Sequence, residues 1–196
     1  MKPKILIDGL CFGEGPRWRE NALWLSDMHA QQVIRAAPGG AFEIILTMSD
    51  DQPSGLGWLP DGRLIIVSMR KRHLLSWDGK ETSLYADLSH LASWHCNDMT
   101  IDAAGNAYVG NFGFDLHNDA TPKPAEIICV DSQGNCRIVE DNVLFPNGMV
   151  ITPDGKTLIV GETFGSRLTA FDIKANGDLT GKRTWAELPD GAVPDG

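Results

Sequence analysis

The chain is poor in the features that tie a protein to a membrane or to nucleic acid. No run of about 18 apolar residues occurs, so no helical membrane span is expected. The N-terminus, Met1-Lys2-Pro3-Lys4-Ile5-Leu6-Ile7-Asp8, carries no apolar secretory core, and no signal peptide is expected. Basic residues are scarce, 17 against 26 acidic, for a net charge of −9. That balance opposes nucleic acid and anionic membranes as partners. There are only four cysteines, Cys11, Cys96, Cys129 and Cys136, with no Cys-x-x-Cys zinc spacing. Cys129 and Cys136 flank Ser132-Gln133-Gly134-Asn135, where a bridge across a hairpin is conceivable. The preferred reading is four free thiols in a reducing cytoplasm. Sustained 3.6-residue apolar spacing is also missing; the best helical candidate, Leu84 to Ser93, is weak.

What is abundant is the hairpin signal. Asp61-Gly62, Asp78-Gly79 and Asp154-Gly155 each stand between apolar runs such as Arg63-Leu64-Ile65-Ile66-Val67-Ser68 and Thr157-Leu158-Ile159-Val160. Aligning these turns reveals internal repeats that start near Glu14, Ser54, Asn97 and Asn147, with a fifth opening at Asp195. The leads are 40, 43, 50 and 48 positions apart, and a turn follows seven residues after each of the first four. Repeats of this size with four short strands each read as blades of an all-β propeller. A β-sandwich also has many short strands, but it gives no reason for a fixed offset between lead and turn. The 196 residues are read as one domain, 1–196. The tryptophans, Trp18, Trp24, Trp58, Trp77, Trp94 and Trp185, are read as mainly core packing, with Trp94 a candidate pocket wall.

Four of the five lead residues carry an oxygen suited to a hard cation: Glu14, Asn97, Asn147 and Asp195. Each alone is a good turn residue. In register, at one slot of a repeat, they point to a ring of ligands on one axis. The set is oxygen only, which suits Ca²⁺, Mg²⁺ or Mn²⁺, with Zn²⁺ also possible. A lone His95-Cys96 pair carries less information, and no general-base partner for a Cys96 nucleophile is evident. The long loop from Gly110 to Asp119 is a candidate pocket lip, with Phe114, Asp115 and His117 in reach; a solvated surface loop is the alternative.

Phe12-Gly13-Glu14-Gly15-Pro16-Arg17-Trp18 resembles the opening motif of the SMP-30/gluconolactonase/luciferin-regenerating-enzyme-like (regucalcin-like) family. Cys96-Asn97-Asp98, Phe145-Pro146-Asn147-Gly148 and Val193-Pro194-Asp195-Gly196 resemble its later signatures, in order. The resemblance implies a six-bladed propeller with one divalent metal on its axis, calcium first among the candidates. It implies Glu14, Asn147 and Asp195 as metal ligands, and Asn97 as a further ligand or substrate contact. Asp98 and His95 become substrate-binding candidates; sugar-lactonase members often carry Arg at the His95 position. Asp195 becomes the candidate catalytic base.

The implied activity is metal-dependent opening of a sugar-derived or small lactone. The alternatives are a phosphotriesterase-like hydrolase and a non-catalytic calcium-binding or ligand-binding propeller. With about four blades in the chain, the resemblance leads to the expectation of a longer six-bladed protein. In that case the Lys4-Ile5-Leu6-Ile7 strand and the last blade would lack neighbours, and such edges favour association.

Overall fold

The computed structural model describes residues 3–195. They form four antiparallel four-stranded sheets, each taking its strands in chain order. The first holds β1 (Gly13–Arg19), β2 (Ala22–Asp27), β3 (Gln32–Ala36) and β4 (Phe42–Thr47). The second holds β5 (Pro53–Trp58), β6 (Leu64–Ser68), β7 (His73–Trp77) and β8 (Thr82–Asp87). The third holds β9 (Cys96–Ile101), β10 (Ala107–Asn111), β11 (Ala125–Val130) and β12 (Cys136–Val143). The fourth holds β13 (Pro146–Ile151), β14 (Thr157–Glu162), β15 (Arg167–Ile173) and β16 (Leu179–Glu187).

Local chemistry sets the meander. At the hairpin turns Asp61, Asp78, Asp102, Asp131 and Asp154 each accept a hydrogen bond from the backbone N–H two residues on. That closes the turn before any tertiary contact forms. Gly62 then takes φ of 92°, where a side chain would be strained.

The four sheets are propeller blades. The first strands β1, β5, β9 and β13 pack against one another in sequence. Burial falls outward: β6 is buried throughout, whereas the outermost strand β8 is mostly exposed. Three apolar cores fill the spaces between neighbouring blades. Trp24 and Val33 meet Leu56, Leu64 and Ile66. Ile65, Val67 and Leu74 meet Met99, Val109 and Ile128. Tyr108, Ile127 and Cys129 meet Leu158, Val160 and Phe171. Each large side chain fully buried here contributes about 1.5–3 kcal/mol.

Several sequence expectations change. Leu84 belongs to β8, and residues 88–92 form a turn closed on the Leu88 carbonyl, so no helix spans 84–93. Lys4 to Ile7 is not a strand; it pairs with no sheet and Ile5 is exposed. The preferred reading of the cysteines stands: all four are free. Cys129 pairs with Arg137 across the hairpin while Cys136 pairs with Val130, so that register sets the two thiols on non-facing positions. Trp24 packs against Trp58 and Trp77, but Trp18 and Trp185 are exposed, because they lie on solvent-facing positions of β1 and β16.

Candidate metal centre

Glu14, Ser54, Asn97 and Asn147 are each the second residue of a blade's first strand. All four strands break register at that point. The irregularities fall between Glu14 and Arg17, between Pro53 and Leu56, between Cys96 and Met99, and between Pro146 and Met149. In β5, β9 and β13 the lead residue falls inside the break and is freed from the ladder, whereas Glu14, still paired with Ser26, stands at its edge; such bulges re-aim side chains. The repeat seen in the sequence is therefore a repeat of bulges.

A buried polar clamp holds the chain entering each bulge. Asp27, at the end of β2, accepts from the backbone N–H groups of Cys11 and Phe12. Asp51 accepts from Ser68, at the end of β6, and from the Arg70 and Lys71 backbone. Asn111, ending β10, accepts from the backbone of Trp94 and Gly113. Glu162, ending β14, accepts from Leu144 N and is paired with Arg167. Every clamp is satisfied on several sides, as a buried polar group must be.

Glu14, Asn97, Asn147 and Asp195 line one cavity of about 410 Å³. The Asn147 amide nitrogen donates to Asp195 Oδ1 at 2.8 Å and to Thr163 Oγ1 at 3.2 Å. That fixes the amide and leaves its carbonyl oxygen buried with no hydrogen-bond partner. Asn97 is anchored the same way, its amide nitrogen donating to the Pro146 carbonyl at 3.2 Å. Glu14 has its pKa pushed up to about 7, chiefly by burial, then by the negative charge of Asp195 and Asp98. The Ser54 hydroxyl, in the same repeat slot, is also buried and unpartnered. Among the described residues no group of three or more His, Cys, Asp or Glu is placed to hold a metal. The donor set at the cavity is two carboxylates and two carboxamides. An oriented orphan carbonyl, a second anchored amide and a half-buried Glu14 carboxylate facing further negative charge fit a hard divalent cation.

Asp98 and His95 lie outside this cavity. Asp98, next to Asn97, turns to the adjacent side of the axis, where its Oδ1 is 2.6 Å from Arg17 Nη2. It fills the space left by Gly55, where a Cβ would sit 2.7 Å from Asp98 Oδ1 and 2.6 Å from Met99 N. His95 stacks on Trp94 at 5.2 Å and packs behind Phe112 and His117, which do line the cavity. Its pKa is lowered, chiefly by burial and next by His117. Within the 110–119 loop, His117 reaches the cavity, Phe114 is buried in an aromatic cluster, and Asp115 holds the Asn118 amide.

Two further repeated slots build the walls, and sequence reasoning passed over them. Phe12, Gln52 and Phe145, each two residues before a lead, line the cavity, as does Val193. Met28, Met69, Phe112 and Thr163, each just after the residue ending a second strand, line it as well. The signal was available as position relative to the repeat. Apolar residues there read as ordinary core until the register is known.

The SMP-30/Gluconolactonase/LRE-like region family matches residues 12–196. A pentonolactonase of Haloferax volcanii is 26% identical over 200 residues, covering 97% of this chain and 64% of that protein. A diisopropyl-fluorophosphatase of Loligo vulgaris is 30% identical over 103 residues, 48% of this chain and 33% of that protein. The chain thus spans less than two thirds of either curated relative. A gluconolactonase structure from Xanthomonas campestris superposes with a TM-score of 0.78 at 25% identity, covering 97% of this chain and 67% of that one. A calcium-binding regucalcin from Agrobacterium tumefaciens shares the fold, with a TM-score of 0.73 at 21% identity over 90% of this chain and 59% of that one.

Proposed function

The chain belongs to the SMP-30/gluconolactonase/LRE-like family, and on that premise we propose that it is a hydrolase that opens a lactone ring with the help of one divalent cation. The observation that carries this reading is the cavity floor: anchored amides, an unpartnered Asn147 carbonyl oxygen and a Glu14 whose pKa stands near 7. The relatives named for lactone hydrolysis support it.

Glu14, Asn97, Asn147 and Asp195 would hold the ion, calcium first by donor hardness. When bound, such a cation polarises the lactone carbonyl and lowers the pKa of an attacking water. The protein's own groups do the rest. Asp195 Oδ1 accepts from Asn147, which orients the carboxylate and leaves Oδ2 to take the proton from water. Asn97, anchored on Pro146, doubles as a contact to the substrate's ring oxygens. Asp98 acts from the side of the axis, holding Arg17 and adding negative potential at Glu14. His95 acts on substrate through the His117 and Phe112 rings in front of it. The aromatic walls exclude bulk water, which strengthens each of these interactions.

The test is hydrolysis of a lactone panel by pH indicator. Protein stripped with EDTA receives Ca²⁺, Mg²⁺, Mn²⁺ or Zn²⁺, and Glu14→Gln and Asp195→Asn serve as controls. Cation-restored turnover lost in both variants supports the reading. Absence of turnover with every cation overturns it. The match to the fluorophosphatase favours one second reading, a phosphotriesterase on the same floor. Fluoride release from diisopropyl fluorophosphate, run beside the lactones, separates the two. Tight cation binding without either activity leaves a calcium-binding propeller, as in the regucalcin neighbour.

A further inference from the structure

Above its oxygen-bearing floor the cavity changes character. Phe12, Met28, Met69, Phe112, Phe145 and Phe164 give its wall an apolar, aromatic-rich character. The rings form a continuous surface: Phe112 stacks on Phe145 at 4.5 Å, and Phe164 meets Phe145 at 5.2 Å and Phe114 at 5.4 Å. Two of the polar side chains among them, Gln52 and Thr163, are already engaged. Gln52 Nε2 lies 3.1 Å from His29 Nδ1. Thr163 donates to the Pro194 carbonyl at 2.9 Å and accepts from Asn147. No lysine or arginine lines the cavity among the described residues.

We propose that the lactone this site takes carries an apolar alkyl or aryl body in place of a polyhydroxylated one, with its carbonyl at the Glu14–Asn147 floor and its body against the phenylalanine wall. The proposal rests on the lactonase reading for the reacting end and on the wall for the rest. A polyol placed here would set most of its hydroxyls against rings and methionines, with only the His29 and His117 imidazoles at the wall to receive them. Each such hydroxyl costs roughly tenfold in affinity. An aryl or alkyl body loses nothing on entering and adds ring–ring contact. A cavity of about 410 Å³ is within the size range of small-ligand sites.

The test has a binding arm and a turnover arm, both on the full chain with the cation present. Binding of dihydrocarbostyril, the lactam of dihydrocoumarin, is compared with binding of gluconolactam by calorimetry. Turnover of dihydrocoumarin is compared with that of gluconolactone. The aryl lactam is expected to bind at least about tenfold tighter than gluconolactam. Phe164→Ala and Phe12→Ala, whose rings are 45% and 46% exposed and so removable without opening the core, are each expected to weaken it about tenfold. Cation affinity should stay unchanged in both. Equal or tighter binding of gluconolactam overturns the proposal, as does indifference of the aryl lactam to both variants. Preferred hydrolysis of gluconolactone also overturns it while keeping the lactonase reading. Tight aryl-lactam binding with neither lactone hydrolysed keeps the apolar site and removes the lactonase reading.

Discussion

Glu14 and Asp98 are carboxylates on neighbouring sides of the propeller axis, the first half-buried and the second fully buried, and they meet the loss of water differently. Asp98 has a built-in counter-charge: Arg17 reaches it at 2.6 Å and also donates to the Leu56 and Met99 carbonyls. Burial raises the Asp98 pKa and Arg17 opposes that rise. Glu14 has no such cation; what faces it is more negative charge, from Asp195 and Asp98. Among the described residues the protein provides one carboxylate with a guanidinium and the other with none. The first is tied into the axis by its arginine; the second is the group that the proposed cation would meet.

The largest expected effect tests the plug. Arg17→Met leaves Asp98 buried and unpaired, and should cost about 3–5 kcal/mol of unfolding free energy, read by denaturant titration. Adding Asp98→Asn should recover most of that loss. If the single variant costs nothing, the two carboxylates are not different in kind.

Glu14→Gln tests the other side. Cation affinity by calorimetry should fall by more than about 100-fold, beyond the loss typical of an outer-sphere partner. Without cation the variant should be at least as stable as the parent above pH 7. The reason is linkage. Because Glu14 binds its proton more tightly folded than unfolded, the metal-free protein is favoured below the ordinary glutamate value of 4.5 and loses that advantage as pH rises through about 7. By the same logic cation affinity should drop toward tenfold per pH unit below about 7, since the ion must displace the Glu14 proton. A flat profile from pH 5 to 8 would remove Glu14 from the ligand set.

Thr163→Val is a smaller perturbation. It deletes the hydroxyl that holds the Asn147 amide and ties down Pro194, and should weaken cation binding about tenfold with little change in melting temperature. The smallest effect belongs to Ser54→Ala. The hydroxyl occupies the lead slot, is buried and bonds to nothing, so its removal should not destabilise and should raise the unfolding free energy by about 1 kcal/mol. A large loss of cation affinity in Ser54→Ala would instead make the second blade a contributor to the floor.

Much of this could be read along the chain. The Asp-containing turns read from the sequence closed where local hydrogen bonding requires, at Asp61, Asp78 and Asp154. The lead slots fell on the second residue of each first strand. The blade count followed from the repeat, and the family from four short motifs. The failures share one cause. Leu84 to Ser93 was weighed by periodicity, but the pairing of β8 with β7 takes residues 84–87 into a strand and leaves 88–92 as a turn. Trp18 and Trp185 look like core residues by type, yet sit on outward positions that only strand register decides. His95 occupies the same slot as Phe12, Gln52 and Phe145, and still turns away from the cavity to stack on Trp94.

By itself, then, the sequence determined what is local and repeated: turns, strands, blade period and the identity of the residue at each lead position. Those depend on backbone preferences and side-chain chemistry within a few residues. Tertiary structure alone decided which wall residues face the cavity, which carboxylate found an arginine 81 positions away, and which was left without one. Such choices depend on the register and close packing of strands distant in sequence, where a one-residue slip would turn every side chain to the other face.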